Sequence, residues 1–526
     1  MEFRYAISLV LEAHLPYVKE YKKEDDLSII GEEERFYEYI SETLLPLLEV
    51  LFRLDSDHVP FKLAMALSPI LCHMLCDEHF QKKYLSYLDK QIEFGKQELE
   101  RTSMQSQLNK LAQNYYDTIT EKRNLFTEKY EKNLLKTFDF YRRKGKLEIL
   151  ATCATHAFLP FISHNAEALQ AQMEIPVAVY RKHFAGNPQG FWLPEHGWTH
   201  ILEPYLKAYN YSYTILDSHG LLFGDPAPEK GCFFPVKTPN GTFILARDHY
   251  AVTEIEKMAA DEIYRSNDHD AGYDLPSETV KPFSGAAGER HRTGYGYYTR
   301  VNSVYDQKAA SDKVKEHAQK FIQNTVARLE EASKHMKEAP ISLYTQKCGF
   351  FGCAWHEGPE FIETLFRKAA ECDGLNFVSP SEYIYMKDAQ SYQVVAPEFS
   401  SCGENGYAET WLDVSNDWIY RHLYQSMDRM TELAERFPDD TGLKERALNQ
   451  AAREILLAQS SDWPSLLYRQ ESTEFAHNQA ENALRNFTTI YEALGSNYIS
   501  TEWLTNLEKR HNIFPNINYR VFRRKK

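Results

Sequence analysis

Residues 5–16 read YAISLVLEAHLP, and this stretch indicates the fold. The apolar run Tyr5–Leu11 is followed by Glu12 and His14, and the run closes at Pro16. A buried strand that stops at a proline and places polar side chains beyond its carboxyl end is typical of a β/α barrel. Catalytic groups of such barrels lie at these strand ends, so repeats of this pattern would mark one mouth of a barrel.

The order of an apolar strand, polar residues and a helix recurs along the chain. Further strands are predicted at Leu63–Leu67, Glu148–Cys153, Gly190–Glu195, Tyr213–Leu216, Phe243–Ala246 and Ile341–Tyr344. The stretch 80–147 is nearly free of Gly and Pro and is rich in Lys, Glu, Gln and Leu, which predicts long amphipathic helices. The predicted domains are a first part of the barrel at 1–200 with a helical layer at 80–147, a small insertion at 201–245, the remainder of the barrel at 246–400, and a helical C-terminal domain at 401–526.

The composition describes a globular protein. The chain has 526 residues, a formal charge of −15 and 43% hydrophobic residues, which excludes disorder, a collagen and a small disulfide scaffold. The acidic balance argues against a nucleic-acid partner. No apolar segment is long enough to cross a membrane, and the N-terminus lacks the pattern of a signal peptide. The eight scattered cysteines predict free thiols and a cytoplasmic location. The oligomeric state is left open.

The segment Gly190–Glu195 carries the clearest candidate for chemistry. It places one carboxylate beside Trp192 at the end of a predicted strand, where it can act as a nucleophile or as a general acid/base. The alternative is a carboxylate that is solvated or salt-bridged and takes no part in catalysis. His196 and His200 are spaced for one helix face, so a metal site with Glu195 is a remote third possibility.

Several tryptophans lie in polar, turn-like sequence. A single tryptophan is ordinarily a core residue, but aromatic faces also stack on sugar rings, and the association of several mildly favours carbohydrate. These residues are Trp192, Trp198, Trp355, Trp411, Trp418 and Trp463.

Five segments in a fixed order resemble glycoside hydrolase family 57, and within it the α-1,4-glucan branching enzymes. The stretches 263–274, 293–298 and 406–423 also match that subgroup, so the resemblance spans nearly the whole chain. The five segments are Leu9–Val18, Ala154–Pro160, Gly190–Glu195, Phe351–Phe361 and Gln459–Pro464.

The resemblance implies an α/β fold, namely an incomplete (β/α)7 barrel with a helical insertion and a mostly α-helical C-terminal domain. It implies a retaining mechanism on α-glucan without metal or organic cofactor. Glu195 occupies the position of the family's nucleophile. The residues expected to bind substrate are Glu12, His14, His156, Trp192, Trp355, Trp418, Asp462 and Trp463.

The sequence departs from the family at the second catalytic position. Counting back from Gly352 places Lys347 where the family has its general acid/base Asp. Further departures from the family pattern are Glu12, Gly349, Cys353, Ala354 and Cys402. A lysine has a reference pKa near ~10.4, so it is poorly matched as an acid at neutral pH.

Two hypotheses follow from this substitution. The first is an α-glucan-active enzyme of the branching type with an incomplete catalytic pair. The second is a non-catalytic α-glucan-binding protein. We expect Lys347 to lie beside Glu195 at the mouth of the barrel, and Glu12 and Glu357 are the first candidates for a replacement acid.

Overall fold

The structure is a computed structural model that describes residues 4–19, 31–281, 283, 290–387 and 391–524. Its strands are β1 (Tyr5–Ala13), β2 (Leu63–Leu67), β3 (Leu147–Leu150), β4 (Gly190–Phe191), β5 (Tyr213–Leu216), β6 (Val236–Lys237), β7 (Phe243–Ala246), β8 (Ile341–Lys347) and β9 (Leu375–Phe377).

Seven of these strands run parallel around an incomplete barrel. The order β8-β1-β2-β3 forms one sheet and β4-β5-β7 belongs to a second. A parallel bridge between Ala151 and Phe191 joins β3 to β4. On the other side, just beyond the end of β7, the Asp248 N–H donates to the Leu343 carbonyl of β8 at 2.7 Å. The predicted α/β class and the barrel are therefore confirmed.

The alternation of side chains along β1 and β8 separates the inside of the barrel from its outer face. Val10 on β1 and Leu343 on β8 belong to a small apolar cluster with residues of β2, β3, β5 and β7. Successive side chains point to opposite faces of a strand, so Glu12 and Lys347 follow these residues on the same inward face. The pairing register sets Glu12 directly beside Lys347. Both groups therefore sit above the apolar interior, at the carboxyl ends of the strands.

Helices cover the outer face of the barrel. The long layer after β2 and the C-terminal group are both present where the sequence predicts helix. The helices are α1 (Glu33–Tyr39), α2 (Leu45–Ser56), α3 (Pro69–Cys76), α4 (Glu78–Arg101), α5 (Ser106–Asn124), α6 (Leu134–Arg143), α7 (Leu159–Ile162), α8 (Ala166–His183), α9 (Glu203–Ala208), α10 (Ser218–Leu222), α11 (His249–Ala259), α12 (Ala271–Asp274), α13 (Ser277–Val280), α14 (Gln307–Ser333), α15 (Gly358–Ala370), α16 (Pro380–Tyr385), α17 (Asp417–Arg436), α18 (Leu443–Ala458), α19 (Asp462–Arg469), α20 (Thr473–Gly495) and α21 (Thr501–Arg510).

The span 201–245 needs a correction, because it is not an insertion outside the barrel. It contains β5, which pairs in parallel with β4 on one side and with β7 on the other. The Pro- and Gly-rich stretch between β5 and β7 made the whole span resemble an insertion in the sequence. Only the short antiparallel strand β6 is added to the edge of β7 there.

The C-terminal helices close over the mouth of the barrel. Ser460, after α18, bridges to Ala157 beyond β3, and the Ser461 N–H donates to the His156 carbonyl at 2.9 Å. The sequence positions that carry Ser461 and Asp462 are thereby brought to the ends of β1 and β3. In the part of the chain that the structure describes, no helix has the length and apolarity required to span a bilayer.

We predict that Gly190→Ala destabilises the seam between β4 and β5. A Cβ atom at residue 190 would overlap the ring of Tyr213, which is fully buried. Overpacking of this kind costs about 1–3 kcal/mol of unfolding free energy. Urea unfolding of Gly190→Ala measures that loss, and Gly495→Ala is the control because a Cβ there meets nothing within 4 Å. The loss should shrink in a Tyr213→Leu background, and an equal loss in both backgrounds would contradict the proposed overlap.

Candidate active site

Glu195 lies in a tight turn that follows β4. In this single 3₁₀ turn, Pro194–His196, Glu195 has φ 57° and His196 has φ 52°. Left-handed backbone is uncommon for such residues and persists where the surrounding structure enforces it, often at active sites. The Cys402 N–H donates to the Glu195 carbonyl at 2.8 Å and holds the turn from the opposite side. The Glu195 side chain is only 3% exposed, so its carboxylate is fixed at the base of the mouth.

Lys347 ends β8 and brings a positive charge to this carboxylate. Its Nζ atom lies 3.8 Å from Glu195 Oε1. The carboxylate of Glu195 raises the pKa of Lys347 above its ordinary value, with a smaller contribution from Glu12. The lysine side chain is 55% exposed, so solvent weakens the ion pair. At neutral pH this site therefore holds an ammonium that stays protonated, beside the carboxylate.

A second carboxylate, Glu12, is held in place by hydrogen bonds from two rings. Glu12 Oε1 accepts from Trp192 Nε1 at 2.6 Å and from His156 Nε2 at 2.7 Å. Burial alone would raise the pKa of Glu12, but His156 and, more weakly, Lys347 lower it to about 2. In the opposite sense, burial would lower the pKa of His156, but Glu12 raises it overall. Glu12 is thus ionised across the physiological range.

His14, like His156, is held between a carboxylate and a serine hydroxyl. Its Nε2 donates to Asp462 Oδ2 at 3.0 Å, and its Nδ1 accepts from the Ser68 hydroxyl at 2.9 Å. The Ser461 hydroxyl occupies the equivalent place on His156 Nδ1, at 2.8 Å. The two imidazoles stack with their centres 3.8 Å apart and an interplanar angle of 3°. Burial lowers the pKa of His14, and the charge of His156 lowers it further.

The remaining wall of the mouth is a charged pair between β5 and β7. Asp217, directly after β5, forms a short ion pair with Arg247, directly after β7. Burial alone would raise the pKa of Asp217, but hydrogen bonds from His219 and Arg247 lower it. His196 Nδ1 donates to the Ile215 carbonyl at 3.2 Å, and burial, followed by the charge of Arg247, lowers the pKa of His196. The imidazole of His196 therefore stays neutral beside the Glu195 turn.

Two groups of residues have side chains of the kind that bind metal ions. The set Glu195, His196 and His200 does not converge, because the first two are buried and His200 is exposed. The ligand atoms of His14, His156 and Asp462 do lie within 4.8 Å of one another. However, the in-plane lone pairs of two parallel, stacked imidazoles do not meet at one point. This arrangement fits a hydrogen-bonded network for a polar ligand better than a metal centre.

Comparisons with known proteins identify the family. Residues 8–397 match the sequence profile described as glycosyl hydrolase family 57. The chain belongs to glycoside hydrolase family 57. Residues 422–522 match a second profile, described as the C-terminal region of 1,4-alpha-glucan branching enzyme.

Solved and curated relatives agree with this family. The chain is similar to the alpha-amylase AmyC of Thermotoga maritima, with 33% identity, a TM-score of 0.91 and coverage of 100% of both chains. It is similar in fold to the family 57 branching enzyme of Pyrococcus horikoshii, with 24% identity and a TM-score of 0.88 over 99% of this chain and 97% of that chain. A 1,4-alpha-glucan branching enzyme of Thermococcus kodakarensis is 25% identical over 97% of this chain and 77% of its own length.

Three residues that the family resemblance suggested for substrate binding lie elsewhere. Trp355 and Trp463 are each only 1% exposed, so neither ring face is open to a sugar. Trp355 packs on Phe361 in the core, and Trp463 donates from Nε1 to the Leu457 carbonyl. Turn-like sequence around a tryptophan does not show whether neighbouring helices cover it. Trp418 is partly buried, and its ring lies 4.8 Å from that of His477 at the surface of the C-terminal helices.

Other residues of the mouth were not among the sequence candidates. Ser68 and Ser461 fix the two histidines, and Asp217 and Arg247 form the far wall. The position of Asp217 and Arg247 directly after predicted strands is the signal that could have found them. Cys402 was noted only as a departure from the family, but its thiol lies 3.6 Å from Glu195 Oε2. Burial, followed by the charge of Glu195, raises the pKa of this thiol, which keeps it protonated.

We predict that Glu12 makes the protein sensitive to acid. Its pKa is about 2 in the folded state against 4.5 for an ordinary glutamate, so its stabilising contribution is present above pH 4.5 and is lost as the pH falls towards 2. Between pH 5 and pH 3 wild type should lose about 2 kcal/mol more unfolding free energy than Glu12→Gln. Urea unfolding at the two pH values measures this difference, with Glu100→Gln on the exposed face of α4 as the control. A pH dependence equal to that of wild type in Glu12→Gln would refute it.

Proposed function

We propose that this protein acts on α-1,4-linked glucan at the mouth of the barrel, in the manner of the family 57 branching enzymes. Glu195 is the carboxylate that attacks the anomeric carbon. The observation that carries this proposal is the buried carboxylate in an enforced left-handed turn at a strand end. The match of residues 422–522 to the C-terminal region of branching enzymes favours transfer between glucan chains over simple hydrolysis.

The network above Glu195 suits the recognition of a sugar ring. His14, His156 and Trp192 contribute ring groups, and Glu12 and Asp462 contribute carboxylates that can accept hydrogen bonds from hydroxyl groups. Each of these groups is oriented by a partner from another strand or from the C-terminal helices. A glucosyl unit bound there would find oriented ring faces and carboxylate acceptors already in place, so little side-chain freedom is lost on binding. We expect the protein to need no cofactor and to work in the cytoplasm, where its eight cysteines, all free, stay reduced.

The proposed chemistry needs a general acid that protonates the leaving oxygen. A retaining glycosidase uses two carboxyl groups about 5–5.5 Å apart, one to attack and one to protonate the leaving group. Lys347 stands in place of the second, and its raised pKa makes it a worse acid than an ordinary lysine. Glu12 has a lowered pKa and is ionised, and Glu357 accepts from the Arg265 N–H at 3.1 Å on the helical side of the loop. We therefore expect slow turnover of natural glucan.

The second candidate function is glucan binding without turnover. It rests on one observation, the ion pair between Lys347 and Glu195. Lys347 stands where the family has its acid, and its charge pairs with the carboxylate that would attack. The similar proteins named above are an alpha-amylase and branching enzymes, which speaks for the first candidate. The two differ in whether Glu195 reacts at all.

We predict that Lys347→Asp increases activity on amylose. The substitution removes the pairing charge and restores a carboxyl group, and two carboxylates at close range raise the pKa of one of them, as an acid requires. General acid catalysis contributes about 10²–10⁴-fold, and the altered residues around the site reduce the gain, so we expect roughly 10–100-fold. Iodine staining and analysis of debranched products measure consumption and new α-1,6 linkages separately.

The controls for this prediction use Glu195. Glu195→Gln should abolish the activity of wild type and of Lys347→Asp, because the nucleophile is lost in both. A wild type that is already fast, yet depends on Glu195, would show that another group supplies the proton. If Glu195→Gln changes nothing in an active protein, the assignment of the nucleophile is wrong. No activity in any variant, with retained glucan binding, would favour the second candidate.

We predict that His14 contributes to glucan affinity whether or not turnover occurs. Removing the imidazole takes one of two hydrogen-bond partners from Asp462 and from Ser68, which keep Ser460 and the Leu71 N–H, and it takes a contact from the sugar, at a cost of about 1–3 kcal/mol. Calorimetry with maltoheptaose should therefore show a weakening of about 10-fold or more in His14→Ala. His335→Ala is the matched control, because the side chain of His335 is 75% exposed just beyond the end of α14. Equal affinity in His14→Ala and wild type would argue against sugar binding in this mouth.

A further inference from the structure

A second polar cavity lies between the helical layer and the loop that follows β8. It encloses about 160 Å³, enough for several waters or for one pyranose ring. The cavity is built from α5, the π-helical turn Ile40–Leu44, the start of α14 and the loop after Lys347. Its lining comprises Glu42, Leu111, Asn114, Tyr115, Thr118, Ile119, Lys122, Arg265, Gly294, Tyr305, Gln307 and His356.

The guanidinium of Arg265 is the unusual group in this cavity. Arg265 is 8% exposed, and Tyr115, Glu42 and Asp270 act on its charge, but in the described part of the chain it forms no ion pair within 4.0 Å. Its Nε atom lacks a hydrogen-bond partner there, and Nη1 reaches the Gly294 carbonyl only at 3.4 Å. A buried charged group with unused donors is costly unless something occupies the space beside it. The donors of Arg265 therefore point to a ligand with hydrogen-bond acceptors.

The charges around Arg265 decide which class of ligand fits. Lys122 Nζ lies 2.8 Å from Glu42 Oε1, and His356 Nδ1 lies 3.5 Å from Glu42 Oε2. Burial, then the charge of Arg265, lowers the pKa of His356, so this imidazole is neutral. The Glu42 carboxylate inside the cavity would repel an anion. It would accept hydrogen bonds from hydroxyl groups.

The other walls complete a set of contacts that suits a sugar. Tyr115 and Tyr305 are buried aromatic side chains, and the Tyr115 ring lies 5.6 Å from the Arg265 guanidinium carbon. Asn114 and Gln307 place two amide groups at the rim, joined by a hydrogen bond of 3.3 Å. Donors, acceptors and aromatic faces occur together here, Lys122 is paired with Glu42, and the charge of Arg265 is partly offset by Asp270 behind the lining. That combination matches a neutral polyhydroxylated ring.

We propose that this cavity binds a single glucosyl unit, separately from the mouth that holds Glu195. The identity of the sugar rests on the proposed function, since a protein that acts on glucan meets glucosyl chain ends. The loop that begins at Lys347 also carries His356 into the cavity, so the two sites share one segment of chain. In this view the cavity holds a chain end while another part of the glucan occupies the mouth.

The test uses a plug at the rim of the cavity. Thr118 is exposed on α5 and lines the cavity, so Thr118→Trp should fill the opening without disturbing the core. Glu121→Trp is the matched control, because Glu121 is exposed on the same helix but does not line the cavity. Glucose affinity, followed by protein-observed NMR, should fall about 10-fold or more in Thr118→Trp and stay unchanged in Glu121→Trp. Arg265→Lys, which keeps the charge but loses the planar set of donors, should also weaken glucose by about 10-fold.

The outcomes separate this proposal from the proposed function. The resonances that respond to glucose should be those of α5 and residues 353–356, and they should persist in His14→Ala, which impairs only the mouth. Unchanged glucose affinity in Thr118→Trp would overturn the proposal. Binding of inorganic phosphate in preference to glucose would overturn it as well, because it would make the cavity an anion site. If maltoheptaose fails to bind the mouth but glucose still titrates the cavity, the proposed function fails and the cavity remains a sugar site.

Discussion

One ammonium group determines the electrostatics of the barrel mouth. Lys347 lies 3.8 Å from Glu195 Oε1 and is set beside Glu12 by the pairing of β1 with β8. The lysine thus places a positive charge beside Glu195 and adds to the stronger effect of His156 in lowering the pKa of Glu12. Under the proposed function, this lysine occupies the position of the proton donor that glycoside cleavage needs.

The sequence pattern predicted much of the fold. Apolar runs that end in polar residues located β1, β2, β3, β5, β7 and β8, because parallel strands buried on both faces read as continuous apolar runs. The predicted strand Gly190–Glu195 was too long, because β4 ends at Phe191. Glu195 lies in the turn beyond it. The span 201–245 was assigned to an insertion because a Pro- and Gly-rich stretch follows β5, although β5 itself was located and belongs to the barrel.

The strand-end pattern pointed to Glu12, His14 and Glu195, but the rest of the candidate site was predictable only through the family resemblance. His14 and Asp462 are 448 positions apart in the chain, and no local pattern shows that they form a hydrogen bond. The resemblance grouped them, but it did not reveal Ser68 and Ser461, which fix the imidazoles from behind. It also suggested sugar contacts for Trp355 and Trp463, which the surrounding helices bury. Local sequence thus located the strand ends, whereas tertiary packing decided which side chains reach the mouth.

The central claim is that the nucleophile position is intact and the acid is missing. α-Maltosyl fluoride tests it directly, because fluoride leaves without protonation and a glycosidic oxygen does not. The ratio of kcat/KM for this fluoride to kcat/KM for maltoheptaose should be large in wild type and should fall by at least about 10-fold in Lys347→Asp, with Glu195→Gln inactive on both substrates. A ratio that is the same in wild type and in Lys347→Asp would contradict the account, because it would mean that Lys347 does not limit protonation of the leaving group.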